Sequence, residues 1–282
     1  AVKVDNSDQP NSRWYSGCGI YRHVWLTKTM KSAYIPQWGQ YVATSPQGDV
    51  RVKVDFAASG NRMKLSVRNT IYDAAGKMVA KSQGAQEQKL KVKNPHLWDI
   101  GKGYLYTVKS ELIVNGKVVD VATTTAGFRD VKFDAKKGFF LNGKNLKING
   151  VCEHHDFGCL GAAVNEDAMH RKLIILRDMG VNAIRSSHNP PAPELLNMCD
   201  SMGILVMDES FDMWRRKKSN GDYARFFDEW HKKDLSDLIK RDRNHPSIIM
   251  WSIGNEVLEQ WSDAAADTLS LEQANLILNA GH

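Results

Sequence analysis

The sequence predicts a chain of two kinds, β followed by α/β, with the change near residue 145. Three observations predict it. Val50-Arg51-Val52-Lys53-Val54-Asp55-Phe56 alternates apolar and polar residues, the period of a half-buried strand. Asn115-Gly116 and Asn142-Gly143 separate strand-like runs, and Asn-Gly is the strongest short hairpin signal because both turn residues need positive φ. From Leu146 onward, short apolar runs alternate with helical patterns, the order that builds a parallel sheet with helical crossovers.

Taken in order, residues 1–41 carry Trp14, Trp25, Trp38, Tyr15, Tyr21, Tyr34 and Tyr41 without a helical period. They are expected to be the last strands of another β domain; the competing reading is an N-terminal extension packed on the neighbouring sandwich. Residues 42–127 read as that β-sandwich, built of short strands with turn signals between them. Its strands are Val50–Phe56, Met63–Tyr72, Tyr104–Val114 and Val118–Thr125, the last two flanking Asn115-Gly116-Lys117.

In the α/β part, Leu146–Val151 reads as a strand. Asn165 caps a helix through Met179, with Glu166 and Asp167 in its first turn and Gly180 beyond it. Ala183–Ser187 is the second strand. Pro193 opens a helix that Gly203 stops. Ile204–Met207 is a third strand ending at Asp208-Glu209, Asp228–Arg241 a third helix, Ile248–Ile253 a fourth strand and Asp263–Leu278 a fourth helix. Four βα units fit either an open doubly wound sheet or part of an eight-stranded barrel. No Gly-x-Gly-x-x-Gly follows the first strand, which disfavours dinucleotide binding. Polar groups gather just past the strand ends: Glu153-His154-His155-Asp156, Ser187-His188-Asn189, Asp208-Glu209 and Asn255-Glu256. In a barrel those ends share one mouth, where active sites lie.

Composition narrows the function. The chain has 282 residues, 42% hydrophobic and 25% charged, an ordinary globular balance that excludes wholesale disorder. No apolar run is long enough to span a bilayer. The net charge of +6 is dispersed, and its densest cluster, Arg215-Arg216-Lys217-Lys218, reads as a solvated loop, not a nucleic-acid patch. Cys18, Cys152, Cys159 and Cys199 form no C-x-x-C pair, so they are expected to pack as small buried hydrophobes and not to bind zinc.

Glu256 is the first candidate catalytic residue. A carboxyl group at a strand end, walled by Trp251 and partly buried, suits a general acid, with Asn255 beside it to hold a substrate hydroxyl. His154 and His155 are adjacent, so their rings point to opposite faces and at most one faces the site. His188, stiffened by Pro190 and Pro191, is a further candidate. Arg185 is expected to reach a carboxylate, Asp208 being nearest in sequence.

Together these strings resemble glycoside hydrolase family 2, the family of β-galactosidases, β-glucuronidases and β-mannosidases. The resemblance rests on Asn149-Gly150-Val151 with Glu153-His154-His155, Asn182-Ala183-Ile184-Arg185-Ser186-Ser187-His188, and Val206-Met207-Asp208-Glu209. It continues through Arg241-Asp242-Arg243-Asn244-His245-Pro246-Ser247 and Trp251-Ser252-Ile253-Gly254-Asn255-Glu256, in the family's order and spacing. The sandwich resembles the family's immunoglobulin-like domain through Asn94-Pro95-His96-Leu97-Trp98. Arg13-Trp14 and Gly19-Ile20-Tyr21-Arg22 look like the end of its sugar-binding jelly roll.

The resemblance implies the end of a jelly roll over 1–41, an immunoglobulin-like β-sandwich over 42–127 and the first half of a TIM (β/α)8 barrel over 128–282. It implies retaining, exo-acting hydrolysis of a β-linked sugar, with a β-galactosidase expected first and a β-glucuronidase or β-mannosidase as alternatives. Glu256 would be the acid/base, His155, His188 and Asn255 would line the sugar subsite, and Arg185, Asp208 and Trp251 would support them. The nucleophile lies in the family on the seventh barrel strand. The 137 residues from 146 onward make about half of a ~250-residue barrel, so the chain is expected to be a fragment, inactive alone. Where magnesium-dependent relatives place a Glu and a His, this chain has Met213 and Arg215, so no metal or other cofactor is expected. The expected partner is a β-glycoside or oligosaccharide, not a nucleic acid or a membrane. A homo-oligomer is left open, as is the compartment, with a periplasmic or secreted one favoured. The rival from another class is a carbohydrate-binding or scaffold relative without catalysis.

Overall fold

The computed structural model describes all residues except 61–62, 262–264 and 280–282. The first part holds β1 (Ala33–Tyr34), β2 (Gln40–Thr44), β3 (Asp49–Val54), β4 (Ala57–Ala58), β5 (Leu65–Tyr72), β6 (Met78–Gly84), β7 (Glu87–Lys91), β8 (Tyr106–Val114) and β9 (Lys117–Ala126). A three-stranded sheet ordered β2-β3-β7 faces a four-stranded sheet ordered β6-β5-β8-β9, all antiparallel, and a short β1-β4 pair lies at one side. The alternation read in the sequence is the burial pattern: Val50, Val52 and Val54 are buried, while Asp49, Arg51 and Lys53 are exposed. These valines pack with Val67, Ile71, Val108 and Leu112 into one apolar core. Asn115 and Gly116 turn β8 into β9 with φ of 49° and 83°.

A three-stranded antiparallel sheet links the two parts: β10 (Val131–Asp134), β11 (Gly138–Leu141) and β12 (Lys144–Leu146). Asn142 and Gly143 make its second turn with φ of 51° and 76°. The strand expected over Leu146–Val151 is therefore two elements. Leu146 pairs back on Phe139, and the first parallel strand, β13 (Gly150–Glu153), begins after it. The Asn-Gly hairpin claims Leu146 because its register continues to that residue.

The α/β part then runs β13, α1 (Glu166–Asp178), β14 (Ala183–Ser186), α2 (Pro193–Met202), β15 (Leu205–Glu209), α3 (Phe227–Asp242), β16 (Ile248–Ser252) and α4 (Ala265–Asn279). The four strands are parallel in the order β13-β14-β15-β16. The boundaries follow their signals. The Asn165 side chain accepts from the Ala168 N–H to cap α1. Pro193 is the first residue of α2, and Gly203 ends it in the left-handed conformation. The fourth helix was expected from Asp263, and residues 263–264 lie outside the described residues.

Of residues 1–41, expected to close a jelly roll, 1–32 contain no strand. A strand needs a neighbour for its ladder, and among the described residues no sheet lies alongside to supply one. The segment instead reaches the ends of the parallel strands: Arg22 donates to the Pro190 and Pro191 carbonyls at 2.9 and 3.2 Å, and Arg13 reaches Asp212. Trp98, fully buried, joins the sandwich to the strands. Its indole N–H donates to the Asp200 carbonyl at 2.7 Å, and its ring packs with Leu141, Ala183 and Leu205. Asn244 extends the edge of β2 by accepting from Val42 N–H and donating to the Gln40 carbonyl, both at 2.9 Å. The cysteine expectation holds for Cys199 alone; Cys18, Cys152 and Cys159 are exposed.

Candidate active site

Side chains on a strand alternate between faces, so β15 sends Asp208 and Glu209 to opposite sides. Glu209 is fully buried and collects three partners. Arg185 donates to its Oε2 through Nε at 2.8 Å and Nη2 at 2.6 Å. Ser252 donates its hydroxyl to the same oxygen at 2.5 Å, and His188 Nδ1 lies 2.6 Å from Oε1. The register explains the set: Arg185 is level with Met207, two residues before Glu209, and Glu209 is level with Ser252. The expected Arg185–Asp208 pair is thus corrected to Arg185–Glu209. Burial costs the Arg185 cation, but Glu209 outweighs that and raises its pKa.

Asp208 points to the helix side, fully buried near Asp242 and Arg241 of α3. Burial first, and then the Asp242 charge, push its pKa well above the ordinary carboxyl value, with Arg241 opposing. Trp251 is level with Asp208 and packs on the helix-side apolar cluster with Leu173 and Leu196. The side chain of Glu256 is 65% exposed, so the expected partial burial is also corrected.

Glu256 follows β16 with φ of 43°, a left-handed conformation rare for a residue with a side chain. Its Oε2 accepts from Arg13 Nη1 at 3.2 Å and lies 3.9 Å from Lys218 Nζ. Asn255 is buried and held at both ends of its amide. Its Oδ1 accepts from Arg185 Nη2 at 2.9 Å, and its Nδ2 donates to Asp212 Oδ1 at 2.8 Å. The same Asp212 oxygen accepts from Arg13 at 2.8 Å and Lys218 at 3.0 Å. Burial pushes Asp212 up, but bonds from Asn255, Arg13 and Lys218 prevail and hold its carboxyl below the ordinary value.

The two histidines after β13 do diverge. The His154 ring lies tilted against Trp14 at 4.7 Å and meets His188 edge-on at 5.4 Å. Burial and the nearby His188 lower its pKa. His155 turns away, with Nε2 at 2.9 Å from the Ala162 carbonyl and its ring near Tyr21 and Phe157. His155 and His188 both line a cavity of about 440 Å³ with Trp14, Tyr15, Tyr21 and Phe211. Of the expected sugar-subsite residues, His188 and Asn255 join the Glu209 network directly and His155 does not.

Sequence reading missed Glu209 as the hub, and also Arg13, His154, Asp212 and Lys218. Glu209 had a signal, since Arg185 and Glu209 share a strand face. At the positions discussed for a metal, Met213 is buried and Arg215 pairs with Asp228 at 2.6 Å. Among the described residues, no cluster of three His, Cys, Asp or Glu is placed to hold a metal ion. No helix among them is long and apolar enough to cross a membrane.

The chain is similar to known proteins in both its parts. The profile "Glycosyl hydrolases family 2, TIM barrel domain" matches residues 131–274, and "Glycosyl hydrolases family 2" matches 34–129. Beta-galactosidase BoGH2A of Bacteroides ovatus is 56% identical across 100% of this chain, which spans 35% of that protein. A putative beta-glucuronidase of Formosa agariphila is 42% identical over 91% of the chain, which spans 25% of it. A glycosyl hydrolase family 2 member from Bacteroides cellulosilyticus superposes with a TM-score of 0.90 at 37% identity, covering 99% of this chain and 39% of that one. A beta-glycosidase from Bacteroides vulgatus superposes with a TM-score of 0.87 at 38% identity, covering 95% and 36%. With these two profile matches, its immunoglobulin-like sandwich and the four parallel βα units beginning a TIM barrel, this chain belongs to glycosyl hydrolase family 2.

Proposed function

We propose that the protein containing this chain is a retaining, exo-acting β-glycosidase that removes a terminal β-galactose, with Glu256 as its general acid/base. The observation that carries the proposal is the placement of Glu256. It stands at the open end of the fourth parallel strand, beside an Asn255 amide fixed by Arg185 and Asp212. A carboxyl group there can protonate a leaving oxygen and later activate water, while a second carboxylate about 5 Å away attacks the sugar. His188 and Asn255 would hold sugar hydroxyls, with His155 further along the cavity. Arg185 orients them through Glu209 and Asn255, and Asp208 and Trp251 support the strand ends from the helix side. Within this reading residues 1–41 close the sugar-binding domain, 42–127 form the sandwich and 128–282 open the barrel.

Galactose is favoured by the 56% identity to a β-galactosidase. It is also favoured by charge: Arg13 and Lys218 are matched by Asp212 and Glu256, as suits a neutral sugar. A β-glucuronide is the second reading, backed by the 42% identical relative. A panel of aryl β-glycosides with the complete enzyme separates the two.

Glu256→Ala in the complete enzyme tests the acid/base role. Hydrolysis of a natural disaccharide is expected to fall ~10²–10⁴-fold. Glycosyl-enzyme formation from a dinitrophenyl glycoside is expected to persist, because that phenolate leaves unaided, and azide is expected to accelerate turnover. Equal slowing of both substrates with no azide effect overturns the assignment.

A further inference from the structure

We propose that Lys218, from the basic run after β15, is a positioning residue that fixes the peptide carrying Glu256; this rests on the acid/base reading above. The run Arg215-Arg216-Lys217-Lys218 looks like a solvated loop in the sequence. The Lys218 side chain is only 8% exposed. Its ammonium donates to the Asn255 carbonyl at 2.6 Å, the Asp212 carbonyl at 2.7 Å and Asp212 Oδ1 at 3.0 Å. An ammonium has three N–H donors, and all three are engaged.

The first of those bonds holds the reactive end of the chain. The Asn255 carbonyl belongs to the peptide unit whose nitrogen is that of Glu256, so Lys218 fixes the peptide plane from which the Glu256 side chain departs. Glu256 has a φ of 43°. A non-glycine residue stays in that region only where its surroundings over-determine it. Here they do so from both sides. Before Glu256, Asn255 N–H donates to the Phe211 carbonyl at 2.9 Å and its side chain to Asp212. After it, the buried Glu259 carboxylate accepts from Arg216 N–H at 2.6 Å, and Arg216 Nη1 donates to the Leu258 carbonyl at 3.1 Å.

The loop that delivers Lys218 is itself fastened. The Lys218 and Ser219 N–H groups both donate to Asp222 Oδ2 at 2.7 Å, and Ala224 N–H donates to Oδ1 at 3.0 Å. The loop after the third strand thus grips the turn after the fourth on either side of Glu256. A single wall residue cannot do this. Lys218 needs no contact with substrate; it holds the Asn255 carbonyl, and its ammonium also stands 3.9 Å from Glu256 Oε2.

The test uses the complete enzyme with Lys218→Met, which keeps length and removes the three donors, and Lys218→Arg, which keeps the charge in a different shape. A misplaced Glu256 costs on the order of 10²-fold in kcat on a substrate with a poor leaving group. With a dinitrophenyl glycoside the first step, read as kcat/KM, is expected to be spared, while kcat and KM fall together as glycosyl-enzyme accumulates; KM for the poor leaving group is expected to change little. Lys218→Arg is expected to fall between Lys218→Met and the parent on the poor leaving group, and it decides the matter if Lys218→Met does not fold. Equal losses of kcat/KM on both substrates, or no loss, overturn the proposal. Glu256→Ala separates the two claims. If Glu256→Ala shows the leaving-group dependence and the Lys218 variants do not, only the positioning role fails. If Glu256→Ala lacks it too, the acid/base reading has failed first.

Discussion

The sandwich and the half-barrel bury different things. Between 34 and 129 the buried polar side chains among the described residues are neutral: Gln40, Asn69, Thr70 and Ser110. Three of them form a chain of bonds, Gln40 donating to Ser110 at 2.7 Å and Ser110 to Asn69 at 2.6 Å. The described residues hold seven buried carboxyl groups, Asp200, Asp208, Glu209, Asp212, Asp222, Asp242 and Glu259, and all lie in the barrel part. Burying a charge is unfavourable unless it is paired and hydrogen-bonded, so most of these carboxyls meet Arg, Lys, His or backbone donors, while Asp208 is the exception that burial pushes toward its neutral form. The sandwich is built for cohesion. The barrel gives up cohesion to hold ionised groups in fixed places.

Arg185→Met tests that contrast most severely. It leaves the fully buried Glu209 with His188 and Ser252 but without its cation, and a loss of about 3–5 kcal/mol in chemical denaturation is expected, together with loss of activity. A change within about 0.5 kcal/mol, the range of an ordinary surface substitution, would show that the network is not holding the strand ends. Next in size is Leu112→Ala in the sandwich, a fully buried side chain in the apolar core. It is expected to cost about 3 kcal/mol while kcat of the folded enzyme stays at the parent value. A fall in kcat would mean that the two parts share strain.

The smallest effect concerns pH. His245 Nδ1 lies 2.6 Å from Asp200 Oδ2 where the barrel meets the sandwich. Burial lowers the His245 pKa, but the bond and charge of Asp200 prevail and raise it. A raised histidine contributes stability that is fully present below the ordinary value of ~6.5 and is lost as pH rises through the raised one. The Tm gap between the parent and His245→Gln is therefore expected to narrow as pH rises above ~6.5. A widening gap would reverse the sign of the coupling.

Much of the fold is legible because its signals are local. Asn142-Gly143, Asn165, Pro193 and Gly203 each specify a backbone conformation within a few residues, and each stands at the expected turn or cap. Asn255-Glu256 is legible for the same reason, since a polar pair ending an apolar run marks a strand end. What escaped depends on register or distance. Trp251 and Glu256 are five positions apart yet face different sides, because the strand ends and a turn intervenes. Lys218 reads as solvated because a charge run carries no information about three acceptors contributed by Asp212 and Asn255. Residues 1–32 read as strands because aromatic density does not tell a paired strand from an extended one.

The bond between Arg13 and Glu256 joins positions 243 residues apart. On a ribosome adding ~5–20 residues/s, the arginine emerges about 10–50 s before its partner exists. The segment that carries Arg13 therefore spends that interval without the surface it finally covers, with Trp25 and Leu26 exposed even when it has docked. The sandwich, whose strands pair among themselves, can close in that interval. The part of the barrel mouth that carries Glu256 forms after the sandwich, so a delay in translation between residues 130 and 256 lengthens the time in which that aromatic segment is free to bind elsewhere.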